Sequence, residues 1–227
     1  MNASMNLAYA VVTTSIKSLT RILCNIDDTQ LINVPKHGPL IIVSNHINFM
    51  DIPVLYTHLQ PRSITGFAKA ETWENPAMGL LFNLWGAIPI QRGEADTNAF
   101  RSALVALGEG KILAIAPEGT RSGHGRLGRG LPGIVVLAHH SEAPILPLVY
   151  YGGERLRDNI NRLRRTDFHI RVGKLFKLRF PEGKLNREVR NAMVDEIMYQ
   201  IAEILPEGYR GYYSDLSQLT TKYIEFA

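Results

Sequence analysis

His46 and Asp51 stand five positions apart in the segment Asn45-His46-Ile47-Asn48-Phe49-Met50-Asp51. An imidazole and a carboxylate at that separation can meet across one tight turn. The carboxylate then fixes one ring nitrogen and leaves the other to face a substrate. Such a pair is half of a serine-hydrolase arrangement, and the expected nucleophile is missing, because Ser122 lies outside any Gly-x-Ser-x-Gly elbow. An acceptor that brings its own hydroxyl removes the need for one. A histidine with a reference pKa of about 6.5 suits the task of taking that proton at neutral pH. The same spacing also fits an Asp that merely caps a helix beside an ordinary loop histidine.

A second cluster, Pro117-Glu118-Gly119-Thr120-Arg121, precedes a stretch with Gly123, Gly125, Gly128, Gly130 and Gly133, in which Arg126 and Arg129 are interspersed. Backbone N–H groups of such a loop can approach an anion closely, and Arg121 can grip a phosphate with two parallel hydrogen bonds. A phosphate on the acceptor is the ligand this suggests, and a solvated loop is the alternative. Arg92 and Lys69 are further candidate phosphate partners. No Walker-type phosphate loop occurs. Adjacent His139 and His140 with Glu142 lack the spacing of a metal site, and no nucleic-acid-binding motif is present. The reading is therefore of no metal, no resident cofactor and no nucleic-acid partner.

Short apolar runs alternate with helix-like stretches after Asp27-Asp28, the pattern of an α/β fold with a mixed, largely parallel sheet flanked by helices. The runs are 40–43, 87–90, 112–116 and 145–149, followed by an alternating stretch at 168–172. A helix is expected to begin at Asp51, another at Asp96-Thr97 with Phe100, Leu104 and Leu107 on one face, and a third through Val189, Met193, Ile197, Ile201 and Leu205. The clusters at 44–46, 91–92 and 117–121 each follow a run. In an open parallel sheet, ligands bind beyond the carboxyl ends of the strands, so these clusters are expected to converge.

The chain has 227 residues, of which 45% are hydrophobic, enough for one sizeable core, and a net charge of +4 that favours anionic partners. Its single cysteine, Cys24, excludes an internal disulfide framework. At the N-terminus Val12, Ile16, Leu19, Leu23 and Ile26 repeat at helical spacing with Lys17 and Arg21 off the stripe. That pattern fits an amphipathic helix lying in a membrane interface and equally a helix docked on the protein's own core. No segment has the roughly 18–20 apolar residues of a spanning helix, and no basic start of a secretory signal is seen, so the expectation is an uncleaved chain on the cytoplasmic side. Residues 1–28 are read as the interfacial helix and 29–227 as the α/β domain.

Taken together, the motifs resemble those of bacterial 1-acyl-sn-glycerol-3-phosphate acyltransferases, within the wider glycerolipid acyltransferase superfamily. The Asn-His-x4-Asp motif stands at Asn45 to Asp51. Gly86-Ala87-Ile88-Pro89-Ile90-Gln91-Arg92, Pro117-Glu118-Gly119-Thr120-Arg121-Ser122 and Ala143-Pro144-Ile145-Leu146-Pro147-Leu148 are similar to the next three, in the family's order. The likeness covers roughly residues 30–155, and the ending Leu205-Pro206-Glu207-Gly208-Tyr209-Arg210-Gly211 is also familiar. Asn48 stands where the family usually has Ser, and Leu131-Pro132 where a basic residue is frequent before the glycine.

The resemblance implies transfer of a fatty acyl group from acyl-CoA or an acylated carrier protein to the sn-2 hydroxyl of a lysophospholipid acceptor, giving phosphatidic acid. His46 would be the base and Asp51 its orienter. Arg92, Glu118, Gly119, Thr120 and Arg121 would form the phosphate region, with Lys69 nearby. Ile145 and Pro147 would shape the acyl-donor side. Val12, Ile16, Leu19 and Leu23 would face an anionic membrane, placing the protein at the cytoplasmic membrane surface as a peripheral or monotopic enzyme. The apolar segment from Ala77 to Ile90 could line an acyl slot, with core packing as its simpler reading. Two other functions fit the same residues: acyl transfer to a different lysophospholipid or lyso-aminolipid, or a membrane-binding scaffold that has lost catalysis.

Overall fold

The β-branched and leucine-rich runs become strands of a single sheet, and the amphipathic stretches between them cover both of its faces. The structure is a computed structural model that describes residues 3–91 and 96–227. In chain order its elements are α1 (Ala3–Leu23), β1 (Cys24–Asp27), β2 (Leu40–Val43), α2 (Asp51–His58), β3 (Ile64–Lys69), α3 (Pro76–Leu84), β4 (Ile88–Ile90) and α4 (Thr97–Gly108). There follow β5 (Ile112–Ile115), α5 (Gly133–Ser141), β6 (Ile145–Tyr151), α6 (Leu156–Asn161), β7 (Thr166–Val172), β8 (Phe176–Leu178), α7 (Arg187–Glu203) and β9 (Ile224–Phe226).

The main strand order is β1-β7-β6-β2-β5-β3-β4, with β8 attached to β6 and β9 to β8. Strands β6, β2, β5, β3 and β4 run parallel, while β7 is antiparallel to β6. The sheet is thus mixed and largely parallel, as the pattern of runs predicted. Alternation along β2 sends Ile41 and Val43 into a core with α4, α5 and α7, and Leu40 and Ile42 into a second core with α1 and α2. The register sets Val43 beside Ile115 and Pro147, so the loops leaving β2 and β5 emerge together.

Residues 24–28 belong to the body rather than to the N-terminal helix. The helix stops at Leu23, and Cys24 to Asp27 pair in parallel with Thr166 to His169. The helix is also rotated from the expected face. Thr13 and Thr20 are buried, with Trp85 Nε1–H donating to Thr13 Oγ1 at 3.3 Å and Thr20 Oγ1 lying 3.4 Å from His58 Nε2. Ile16 and Leu23 pack beside them, Val12 is half-buried, and of the expected stripe only Leu19 is exposed. A docking face built partly of threonines does not register as apolar periodicity. The outward row is instead Leu7, Val11, Leu19 and Ile22. Among the described residues no helix is long and apolar enough to cross a membrane.

Candidate active site

The turn between β2 and α2 is folded by Asp51. Its Oδ2 accepts from Ile47 N–H at 2.7 Å, from Asn48 N–H at 3.0 Å and from His46 Nδ1 at 2.8 Å. The carboxylate therefore turns back on the loop, whereas the helix-cap reading of this Asp has it serving the N–H groups of α2. An ionised carboxylate only accepts, so His46 Nδ1 carries the proton and Nε2 is left with its lone pair. Asp51 is 2% exposed and the His46 side chain 14%, enough to leave the ring at the wall of a cavity.

Two asparagines hold this turn to the sheet. Asn45 Nδ2 donates to the Tyr150 carbonyl at 2.8 Å, and Tyr150 N–H donates to Asn45 Oδ1 at 2.9 Å, which extends β2 against β6 by one side-chain pairing. Asn48 Nδ2 donates to the Gly153 carbonyl at 2.6 Å, and Asn48 Oδ1 accepts from Met50 N–H. The amide at 48 reaches a carbonyl across the loop, and that contact accounts for Asn at this position.

The loop after β5 is tied to the same turn, with Ser122 N–H donating to the His46 carbonyl at 2.8 Å. Gly119 has φ +71, and a Cβ there would approach Leu131 Cδ1 to 2.8 Å, so the turn requires glycine. Glu118 Oε2 accepts from Gly128 N–H at 2.7 Å. Burial pushes the Glu118 carboxyl above its usual range, against the pull of the Gly128 and His46 N–H groups and the nearby histidines. The glycine-rich stretch is further braced by the C-terminal segment: Leu127 N–H donates to the Tyr209 carbonyl, Tyr212 N–H to the Leu127 carbonyl, and Gly130 N–H to Tyr213 Oη. Tyr209 of the familiar ending, with Tyr212 and Tyr213 just beyond it, is therefore a clamp on this loop, a role the sequence did not reveal.

These pieces surround a cavity of about 520 Å³. His46, Asp51, Gly119 and Thr120 line it together with the polar residues Ser44, Asn45, Gln91 and Asp96, while Ile52 and Leu55 of α2, Phe67, Ile90, Phe100, Ile134 and Leu137 are among its apolar lining. The apolar wall comes from α2, β3, β4, α4, β5 and α5, with only Ile90 drawn from the stretch 77–90.

Other expected site residues fall differently. Arg121 is exposed beside Thr120. Lys69 ends β3 and pairs with Glu71 at 2.9 Å, outside the cavity lining. Glu118 also lies outside that lining, committed to Gly128. Ile145 and Pro147 are buried in β6 against β2 and do not reach the cavity. Arg92 lies outside the described residues. Among those described, no cluster of His, Cys, Asp and Glu is arranged to hold a metal ion.

The family model for acyltransferases matches residues 25–151, more than half of the chain and all of this site's core. The chain belongs to the acyltransferase family. Relatives of this acyltransferase-family chain include the 1-acyl-sn-glycerol-3-phosphate acyltransferase of Bacillus subtilis (strain 168), 29% identical over 121 residues, 53% of this chain and 59% of that protein. The protein of the same name from Limnanthes alba is 36% identical over 115 residues, 49% of this chain and 41% of its own. The human 1-acyl-sn-glycerol-3-phosphate acyltransferase beta is 33% identical over 117 residues, again 49% and 41%. These matches span about 60% or less of the relatives' length. The fold is similar to the crystal structure of the 1-acyl-sn-glycerophosphate (LPA) acyltransferase PlsC from Thermotoga maritima, with a TM-score of 0.61 at 20% identity over 87% of this chain and 81% of that one.

Proposed function

We propose that this chain transfers a fatty acyl group from acyl-CoA or an acylated carrier protein to the sn-2 hydroxyl of 1-acyl-glycerol-3-phosphate, giving phosphatidic acid. The observation that carries the reading is a carboxylate-held imidazole in the wall of a largely apolar cavity. His46 Nε2 takes the proton of the acceptor hydroxyl as its oxygen attacks the thioester carbonyl. The tetrahedral intermediate collapses with cleavage of the carbon–sulfur bond, and the departing thiolate takes the proton from Nε2. Asp51 stabilises the transient imidazolium, and base catalysis of this kind is worth about 10² to 10⁴ in rate.

The acceptor's phosphate is assigned to the rim formed by Gly119, Thr120 and Arg121, with Arg92 and Lys69 as further cationic partners. Its acyl chain, or the donor's, occupies the apolar part of the cavity. The acceptor is insoluble, so the enzyme works as a peripheral protein at the cytoplasmic face of an anionic membrane. The outward Leu7, Val11, Leu19 and Ile22 of α1 support that placement.

The test is purified protein with labelled acyl-CoA or acyl-carrier protein and a panel of lysolipids. Label should enter phosphatidic acid, and His46→Ala should remove the transfer while leaving the melting temperature nearly unchanged. Transfer to no lysolipid, with vesicle binding intact, would point to a scaffold instead. Arg121→Ala should slow acceptors that carry a phosphomonoester and spare those that lack one. Equal slowing of both would move the acceptor to another lipid class.

A further inference from the structure

Residues 155–165 are not used by the site described above, and their chemistry is one-sided. The stretch carries Arg155, Arg157, Arg162, Arg164 and Arg165 against one carboxylate, Asp158. The first four of these arginines are exposed and make no ion pair among the described residues. Between them Leu163 is 97% exposed at φ +53. A leucine gains nothing from packing there and sits in a backbone region that Asn, Asp or Gly tolerates better. Neither local conformation nor core burial accounts for it.

Arg165 joins this loop to the N-terminal helix. Its Nη2 donates to the carbonyl of Arg21 at 2.6 Å and to that of Cys24 at 2.7 Å, where α1 passes into β1. The cationic loop is thereby joined to the end of the helix whose outward row is Leu7, Val11, Leu19 and Ile22. An apolar row bordered by unpaired guanidinium groups is complementary to a bilayer whose headgroups are anionic. An acidic protein would satisfy the arginines and leave the exposed leucines and isoleucine without a role.

We propose that residues 155–165 and the outward face of α1 form one docking surface for an anionic bilayer, in which the arginines hold headgroup phosphates and Leu163 enters the acyl boundary. This rests on the membrane-surface reading above and names the part of the molecule that performs it.

The experiment is cosedimentation of the full chain with phosphatidylcholine vesicles, with and without phosphatidylglycerol. Wild type should bind the phosphatidylglycerol vesicles more strongly, and salt should weaken that preference. Replacing two arginines together, Arg162→Gln with Arg164→Gln, should lower binding to those vesicles roughly 30-fold and change binding to phosphatidylcholine little. Leu163→Asn suits the positive φ, so it should fold at least as well as wild type yet bind both vesicle types about tenfold less. Wild-type binding by all variants would overturn the proposal. So would variants that keep vesicle binding but lose binding to acyl-carrier protein, which would make an acidic protein the partner. Vesicle binding is read without turnover, so a chain inactive on every lysolipid sinks the catalytic reading and leaves this one standing.

Discussion

Asp51 makes more contacts than orienting a histidine requires. One oxygen serves His46 Nδ1–H and two loop N–H groups, so the group that selects the tautomer also folds the turn that presents the ring. The Ile47 and Asn48 N–H groups lie in buried or half-buried positions, and losing an acceptor there costs about 1–3 kcal/mol each. Asp51→Asn keeps the shape but carries no charge and sets an NH2 group where an acceptor is needed if the amide turns. We expect acyl transfer to fall at least about 10²-fold, with a loss of stability of about 1–3 kcal/mol in denaturant unfolding. His46→Ala should show the kinetic loss with a stability change within about 0.5 kcal/mol. If the two variants were equally stable, the folding role of Asp51 would be wrong even with catalysis lost.

Between the N-terminal helix and the body, a second histidine–carboxylate pair sits where no chemistry is needed. His58 Nδ1 lies 2.8 Å from Asp28 Oδ2, which also meets Arg21 at 3.2 Å, and the His58 side chain is fully buried where α1 crosses α2. Burial holds the His58 pKa below its reference value, helped by the charges of Lys17 and Arg21 and opposed by Asp28. Burial raises the Asp28 carboxyl, but its bonds to His58 and Arg21 outweigh that and leave it lowered. Both groups bind fewer protons folded than unfolded, so the stability they confer is present above the unfolded pKa and declines as pH falls through the folded one. For His58 that decline starts as pH drops through about 6.5. The melting temperature should therefore fall between pH 7.5 and pH 5.5, and His58→Gln should flatten that slope; an unchanged slope would remove His58 as its source. This pair was invisible in the sequence because its members are thirty positions apart. The uniform apolar runs of β2, β5 and β6 were legible, since a strand covered on both faces has no polar alternation to confuse it. Strand β3 was missed because Thr65, Gly66 and Lys69 interrupt its run, and β1 because an edge strand reading Cys-Asn-Ile-Asp has little apolar content. At the site, the His46–Asp51 pair was legible as local spacing, whereas the positive-φ turn at Gly119 was not. The Asn45–Tyr150 pairing and the Tyr209 clamp join residues far apart in the chain.

At the scale of the whole molecule, the cavity is where both cores and the loop end of the sheet meet, and its lining comes from seven separate elements, α2, β3, β4, α4, β5, α5 and β6, and the loops between them. Phe100 of α4 and Ile134 of α5 face it from the side opposite Ile52 and Leu55 of α2. An acyl chain gains about 0.8 kcal/mol for each CH2 buried, so a wall moved by a few carbons changes which chain length fits. Ile134→Phe adds bulk and should shift the preferred thioester toward shorter chains, while Phe100→Ala opens space and should shift it toward longer ones. Opposite shifts are the informative outcome, because overpacking or a new void in a core used only for stability would cost about 1–5 kcal/mol and slow all chain lengths alike. The measurement is competition between labelled acyl donors of different length in one reaction, so that changes in total activity cancel from the ratio. Ratios that stay at the wild-type value in both variants would mean that the apolar space between α2, α4 and α5 does not hold the chain, and would leave the exposed row of Leu7, Val11, Leu19 and Ile22 on α1 as the apolar surface to test next.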